Sequence, residues 1–286
     1  MDQVHRFLFE DLDIRGALVQ LGPSWAAMNS RRNYAAPVRD LLGELAAVTA
    51  LIGSNLKAPG RLSFQLQGHG AVSMLVMDCN EQLQLRGMAK SGLSAEAESH
   101  VTGIEELLGD GKLVLTLQPT TARTPYQSVV PLTGSSVAAV FEHFLEQSEQ
   151  TPARLWLAAT ADTACGLFLQ KLPNADILDP DGWDRIEALA ATVQPEELLL
   201  PPETLLTRLF NEESVRLYPP RQANWHCPRD EEKVRNMLLS LGREEVEAML
   251  ADAEIIAIED EICGHEYRFG AEIIDELFPS AGRILH

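Results

Sequence analysis

Cationic residues are scarce: 23 Lys and Arg stand against 42 Asp and Glu in 286 residues, a formal charge of −19. Such a chain repels phosphate backbones and anionic bilayers, so neither nucleic acid nor a membrane is expected as a partner. Long apolar runs are missing too. The most apolar stretch, 41–53, is too short to cross a bilayer and contains Glu44. Residues 1–13 carry acids and lack a basic segment followed by an apolar one, so no secretory leader is read and a cytoplasmic location is expected. Cysteine is rare, with Cys79, Cys165, Cys227 and Cys263 making the whole set. In a reducing compartment these read as thiols or metal ligands before structural disulfides.

Enzyme signatures are absent as well. Gly68-His69-Gly70 begins like a dinucleotide fingerprint, but Ser73 stands where the third glycine is needed, and a hairpin turn explains the glycines better. Gly111-Lys112 has Glu106 and Leu113 where a phosphate loop requires Gly and Ser or Thr. Neither Gly-x-Ser-x-Gly nor His-Glu-x-x-His occurs, and His5, His69, His100 and His143 read as surface or hydrogen-bonding residues. No catalytic residue is expected. Cys79 and Cys165 lie beside apolar strand patterns and read as small buried hydrophobes.

What the sequence does hold is enough apolar material, 45%, for a large core. Leu62, Phe64 and Leu66 alternate with polar residues, as do Val72, Met74 and Val76, then Leu83 and Leu85, then Leu113, Leu115 and Leu117. This is the period of half-buried strands over 62–67, 72–78, 83–87 and 113–117. Helices are expected at 37–55, with Pro37 in the first turn, and at 136–149, capped by Ser135 or Ser136. The fold class is therefore α+β, with sheet and helix packed in layers.

The acidic excess is uneven: residues 1–175 carry −4 and residues 176–286 carry −15. With Tyr218-Pro219-Pro220 as a second punctuation, the chain divides into 1–175, a helical connector 176–222 and an acidic module 223–286. The connector's helices are short and must lean on an apolar partner face. The module shows helix patterns near 230–241 and 243–253, a strand at 255–258, a Tyr267/Phe269 alternation and a last helix around 271–278. A module this small needs a staple. Cys227 with His226, and Cys263 with Asp260 and His265, have the composition of a zinc site, but no Cys-x-x-Cys pair supports it.

Ordered segments along nearly the whole chain carry a resemblance. They include His5-Arg6-Phe7-Leu8-Phe9, Arg15-Gly16, Pro37-Val38, Phe64-Gln65-Leu66-Gln67-Gly68-His69-Gly70 and Leu85-Arg86-Gly87. They continue through Tyr126-Gln127-Ser128-Val129-Val130, the segment from Ser148 to Leu155, Glu196-Glu197-Leu198-Leu199 and Leu209-Phe210-Asn211-Glu212-Glu213. In these the chain resembles the heat-shock protein 33 family of redox-regulated holdases. The resemblance implies a client-binding domain at 1–175, a covering linker at 176–222 and a redox-switch module at 223–286. It also implies unfolded clients as partners, no requirement for ATP and a homodimer when active. In the family a Cys-x-Cys and a Cys-x-x-Cys bind zinc, and oxidation releases it and unfolds the module.

Here the switch departs from the pattern. Cys227-Pro228-Arg229 and Asp260-Glu261-Ile262-Cys263 each keep one cysteine, so the four-thiolate site cannot form. Arg229 and Asp260 replace the other two and are expected to pair across the former metal centre. If the family fold holds, Cys227 and Cys263 converge there, with a disulfide available on oxidation. No tightly bound zinc is expected. A mixed site of Cys227, Asp260, Cys263 and His265 or His226, and two independent thiols, are the alternatives. The competing function is a thiol–disulfide oxidoreductase acting through Cys227 and Cys263.

Overall fold

The computed structural model describes residues 1–30, 32–56, 59–94, 103–122 and 124–279. His100 lies outside the described residues. In chain order, β1 (Gln3–Phe9) and β2 (Ile14–Leu21) lead to α1 (Pro23–Asn29) and α2 (Ala36–Gly53). Then come β3 (Gly60–Gly68), β4 (Val72–Asn80), β5 (Gln84–Ser91), α3 (Ile104–Leu108), β6 (Gly111–Pro119) and β7 (Tyr126–Pro131). The helix α4 (Val137–Glu149), β8 (Ala153–Ala159), β9 (Ala164–Lys171), α5 (Ala175–Leu178) and α6 (Gly182–Ala190) follow. A 3-10 turn Pro195–Leu199, α7 (Pro202–Leu209), β10 (Val215–Leu217), β11 (Arg221–Gln222) and β12 (Asn224–Trp225) come next. The chain ends in α8 (Glu231–Leu241), α9 (Arg243–Asp252), β13 (Ile256–Asp260), β14 (His265–Phe269) and α10 (Glu272–Leu277). The fold is α+β, as the periodicities imply.

The chain forms two compact units, Met1–His226 and Cys227–His286. In the first, one sheet runs β12-β5-β4-β3-β6-β7 and contains the strands read from alternation. Leu62, Phe64 and Leu66 are buried. The Gly68-His69-Gly70 link is a hairpin end, and the His69 and Gly70 N–H groups both donate to the Leu108 carbonyl at 2.8 Å. The Ser136 hydroxyl caps α4 by accepting from the Ala139 N–H at 3.1 Å.

The other sheet, β10-β1-β2-β9-β8, has no counterpart in the alternation read from sequence. Its inner strands are buried along almost their whole length, so polar and apolar residues do not alternate. Between the two sheets lies α2, which touches β2, β8 and β9 on one side and β3, β4 and β5 on the other. Its residues from Leu45 to Leu51 are all buried. A stretch covered on all sides has no polar face, which explains why Ala46, Ala47, Val48, Thr49 and Ala50, with no charge among them, separate Leu45 from Leu51.

Residues 176–222 belong to the first unit's packing. Trp183, Ile186, Leu198, Leu205, Leu209 and Phe210 share a core with Phe7, Phe9, Ile14, Leu18, Leu167 and Leu169 of β1, β2 and β9. Phe9 and Phe210 meet edge to face with centroids 5.0 Å apart. Fully burying one such side chain contributes roughly 1.5–3 kcal/mol, which the short helices α6 and α7 lack when alone in water. The Gln20 amide, buried in β2, donates to the Leu198 and Leu200 carbonyls at 2.7 Å each and fixes the 3-10 turn to the sheet.

Candidate functional site

In the second unit, α8, α9, α10 and the β13–β14 hairpin enclose a small core of Val234, Leu238, Val246, Ile256, Tyr267, Phe269 and Ile273. The Asp230 carboxylate starts α8 by accepting from the Lys233 N–H at 3.0 Å. The hairpin turn is built by Asp260, whose Oδ1 accepts from the Ile262 N–H at 3.0 Å and the Cys263 N–H at 3.2 Å. Gly264 closes it at φ +64, a backbone shape that glycine takes without strain. These local bonds present Cys263 from a fixed turn.

Cys227 and Cys263, 36 positions apart in sequence, are joined by a disulfide, with Cα atoms 5.7 Å apart. Three further contacts tie the same two segments. His265 Nε2 lies 2.8 Å from the Cys227 carbonyl; a carbonyl only accepts, so the ring carries its proton on Nε2. The Arg229 guanidinium donates to the Glu266 carbonyl at 2.6 Å and sits over the Tyr267 ring, 5.0 Å from its centroid. The Tyr267 hydroxyl accepts from the Asp230 N–H at 2.8 Å.

The expected Arg229–Asp260 ion pair is not formed. Each residue has a nearer backbone partner: Asp260 is used by its own turn, and Arg229 by Glu266 and the Tyr267 face. The expectation placed both at one centre and overlooked the local bonds that draw each away. Tyr267 and Asp230 were missed as holders of this site. The Tyr267/Phe269 alternation signals a strand with one face inward, but nothing in sequence shows where the phenol points.

The residues do not fit the zinc that the resemblance implies. Both thiolates are consumed by the disulfide, Asp260 Oδ1 takes two N–H donors and His265 Nε2 faces a carbonyl. Among the described residues no group of three or more His, Cys, Asp or Glu is gathered closely enough to hold a metal ion.

The other two cysteines are buried thiols outside this site. Cys79 and Cys165 are buried, and desolvation pushes each thiol up to about 12, so the reactive thiolate is suppressed. Burial lowers His5 below the ordinary imidazole range. Among the described residues no helix is long and apolar enough to cross a membrane.

The family described as "Hsp33 protein" matches residues 2–270. A 33 kDa chaperonin of Methylobacillus flagellatus is 39% identical over 280 residues, spanning 97% of this chain and 94% of its own length. The 33 kDa chaperonin of Vibrio cholerae is 37% identical over 295 residues, spanning 100% and 99%. The solved 33 kDa chaperonin of Thermotoga maritima has the same fold, with a TM-score of 0.82 at 20% identity over 97% of this chain and 98% of that one.

Proposed function

Because this chain belongs to the Hsp33 family, we propose that it is an ATP-independent holdase that captures unfolding polypeptides and whose redox switch works differently from a zinc-thiolate one. The observation that carries the reading is the apolar face of β1, β2 and β9, buried under residues 176–222. A face this apolar binds other apolar chains once its cover leaves. The cover consists of short helices that cannot persist alone, so it is the part that heat removes first.

The switch reading rests on the Cys227–Cys263 disulfide. A cross-link between the start of the second unit and its hairpin restricts unfolding, so oxidation tightens this module. Heat or reduction, in place of oxidative zinc loss, then favours the open state. No tightly bound zinc takes part. The active form is a homodimer, and the setting is cytoplasmic.

The test is suppression of client aggregation by reduced and oxidised protein without nucleotide, with zinc content measured alongside. Suppression in both states and sub-stoichiometric zinc is the expected result. Turnover of a dithiol substrate without suppression would favour the oxidoreductase reading instead, and ATP dependence would rule out a holdase of this kind.

A further inference from the structure

Residues 215–225 form a strap along two sheet edges. β10 pairs with β1 at Phe7, Leu8 and Phe9, and β11 pairs with β1 at Gln3 and Val4. The chain then crosses to the other sheet, where β12 runs parallel to β5 at Gln84 and Leu85. One extended segment thus occupies the outer edges of β1 and β5. Its inward positions are filled by Val215 and Leu217 at one end and by the wholly buried Ala223 with Trp225 at the other. Arg221 anchors it by donating to the Ser54 and Glu81 carbonyls.

The strap is an imperfect strand. β10 meets β1 with Leu217 opposite Phe7, but β11 meets it with Arg221 opposite Val4, so the register slips by one residue between them. The slip falls on Pro219-Pro220, which have no N–H to give the ladder. On either side of the slip the Tyr218 N–H donates to the Arg6 carbonyl at 2.9 Å and the Ala223 N–H to the Asp2 carbonyl at 2.8 Å, while Pro219 and Pro220 between them have no N–H to give. A proline-free extended segment can pair with β1 without that fault, while alternate apolar side chains enter the places of Val215 and Leu217.

We propose that the edges of β1 and β5 beneath this strap receive an extended, proline-free segment of an unfolding polypeptide as an added strand, with the strap as the built-in competitor. The proposal rests on the holdase reading and deepens it. The apolar sheet face holds client side chains, and the edges hold client backbone. The prolines keep the competitor weak enough to be displaced, yet Arg221 and Ala223 keep it seated at rest.

The experiment uses the full chain and two fluorescein-labelled peptides of residues 213–226, one native and one carrying Pro219→Thr and Pro220→Thr. Binding is measured to wild type and to Leu8→Cys/Arg216→Cys, whose paired positions cross-link β10 to β1. The proline-free peptide is expected to bind wild type about tenfold more tightly, the gain from one or two restored backbone bonds. The cross-linked variant should lose that binding and recover it on reduction, with reduced wild type as the reference for its fold. Equal binding of the two peptides, or undiminished binding to the cross-linked variant, would overturn the edge site. Clients held equally by cross-linked and wild-type protein would sink the edge site and leave the holdase reading standing. Strap-dependent peptide binding in a protein that holds no client would do the reverse.

Discussion

The Tyr267 hydroxyl is the acceptor for the Asp230 N–H at the start of α8, inside a contact set that also includes Arg229 over the same ring. Tyr267→Phe keeps the ring and removes the acceptor, so it is expected to cost the second unit about 1–2 kcal/mol, read as faster amide hydrogen exchange in α8. Unchanged exchange would mean that the bond contributes nothing. Cys263→Ser removes the cross-link that closes a 36-residue separation. In the chain-entropy model this lowers stability by about 3–4 kcal/mol against the oxidised wild type, and by little against the reduced one. Paired melting curves measure the difference. Glu44 is the other informative residue. Burial, then the Asp40 carboxylate one turn away, pushes its carboxyl up to about 7, and it borders a 380 Å³ cavity with Ile104 and Ser136. Below its ordinary range the group is neutral in folded and unfolded chains alike. Between its ordinary range and about 7 only the folded chain resists ionisation, so stability falls across that window and levels off above it. Glu44→Gln should therefore be more stable than wild type by about 1–3 kcal/mol at pH 8 and by clearly less at pH 5. An equal gain at both values would contradict the assignment.

Among elements, the linker's hold on β2 is the most exposed to test. Gln20 donates two amide bonds to the 3-10 turn and its end, the one to Leu198 buried and the one to Leu200 half-buried, and Arg154 pairs with Glu187 of α6 at 2.6 Å. Gln20→Ala leaves the Leu198 and Leu200 carbonyls without these donors, and limited proteolysis should cut residues 176–222 several-fold faster while β3, β4 and β6 stay intact. Cleavage first in those strands would show that the linker is not the weak part. The same elements show where sequence is readable. β3 alternates because one of its faces is buried and the other half-exposed, so Leu62, Phe64 and Leu66 reveal it. β2 and β9 are covered on both faces, and their continuous apolar runs carry no period. The strap was hidden for another reason. Its pieces are two or three residues long and are defined by partners far away in sequence. At the candidate site the two cysteines were legible as a pair through the family's pattern, whereas Arg229 and Asp260 were not, since backbone carbonyls and N–H groups, invisible to residue identity, claimed them first.

At the scale of the whole molecule, an apolar sheet face lies beneath a cover of short helices in the first unit, and the second unit carries the Cys227–Cys263 disulfide. These features join in the proposal that the chain holds unfolding proteins when its linker loosens, and that oxidation at Cys227 and Cys263 restrains opening. The most direct measurement follows light scattering of a heat-unfolding client enzyme mixed with this protein, oxidised or reduced, without nucleotide, across rising temperature. The account predicts that both forms suppress aggregation near stoichiometric ratio and that the oxidised form needs the higher temperature to do so. Suppression that appears only after oxidation, or no suppression in either form, would contradict it.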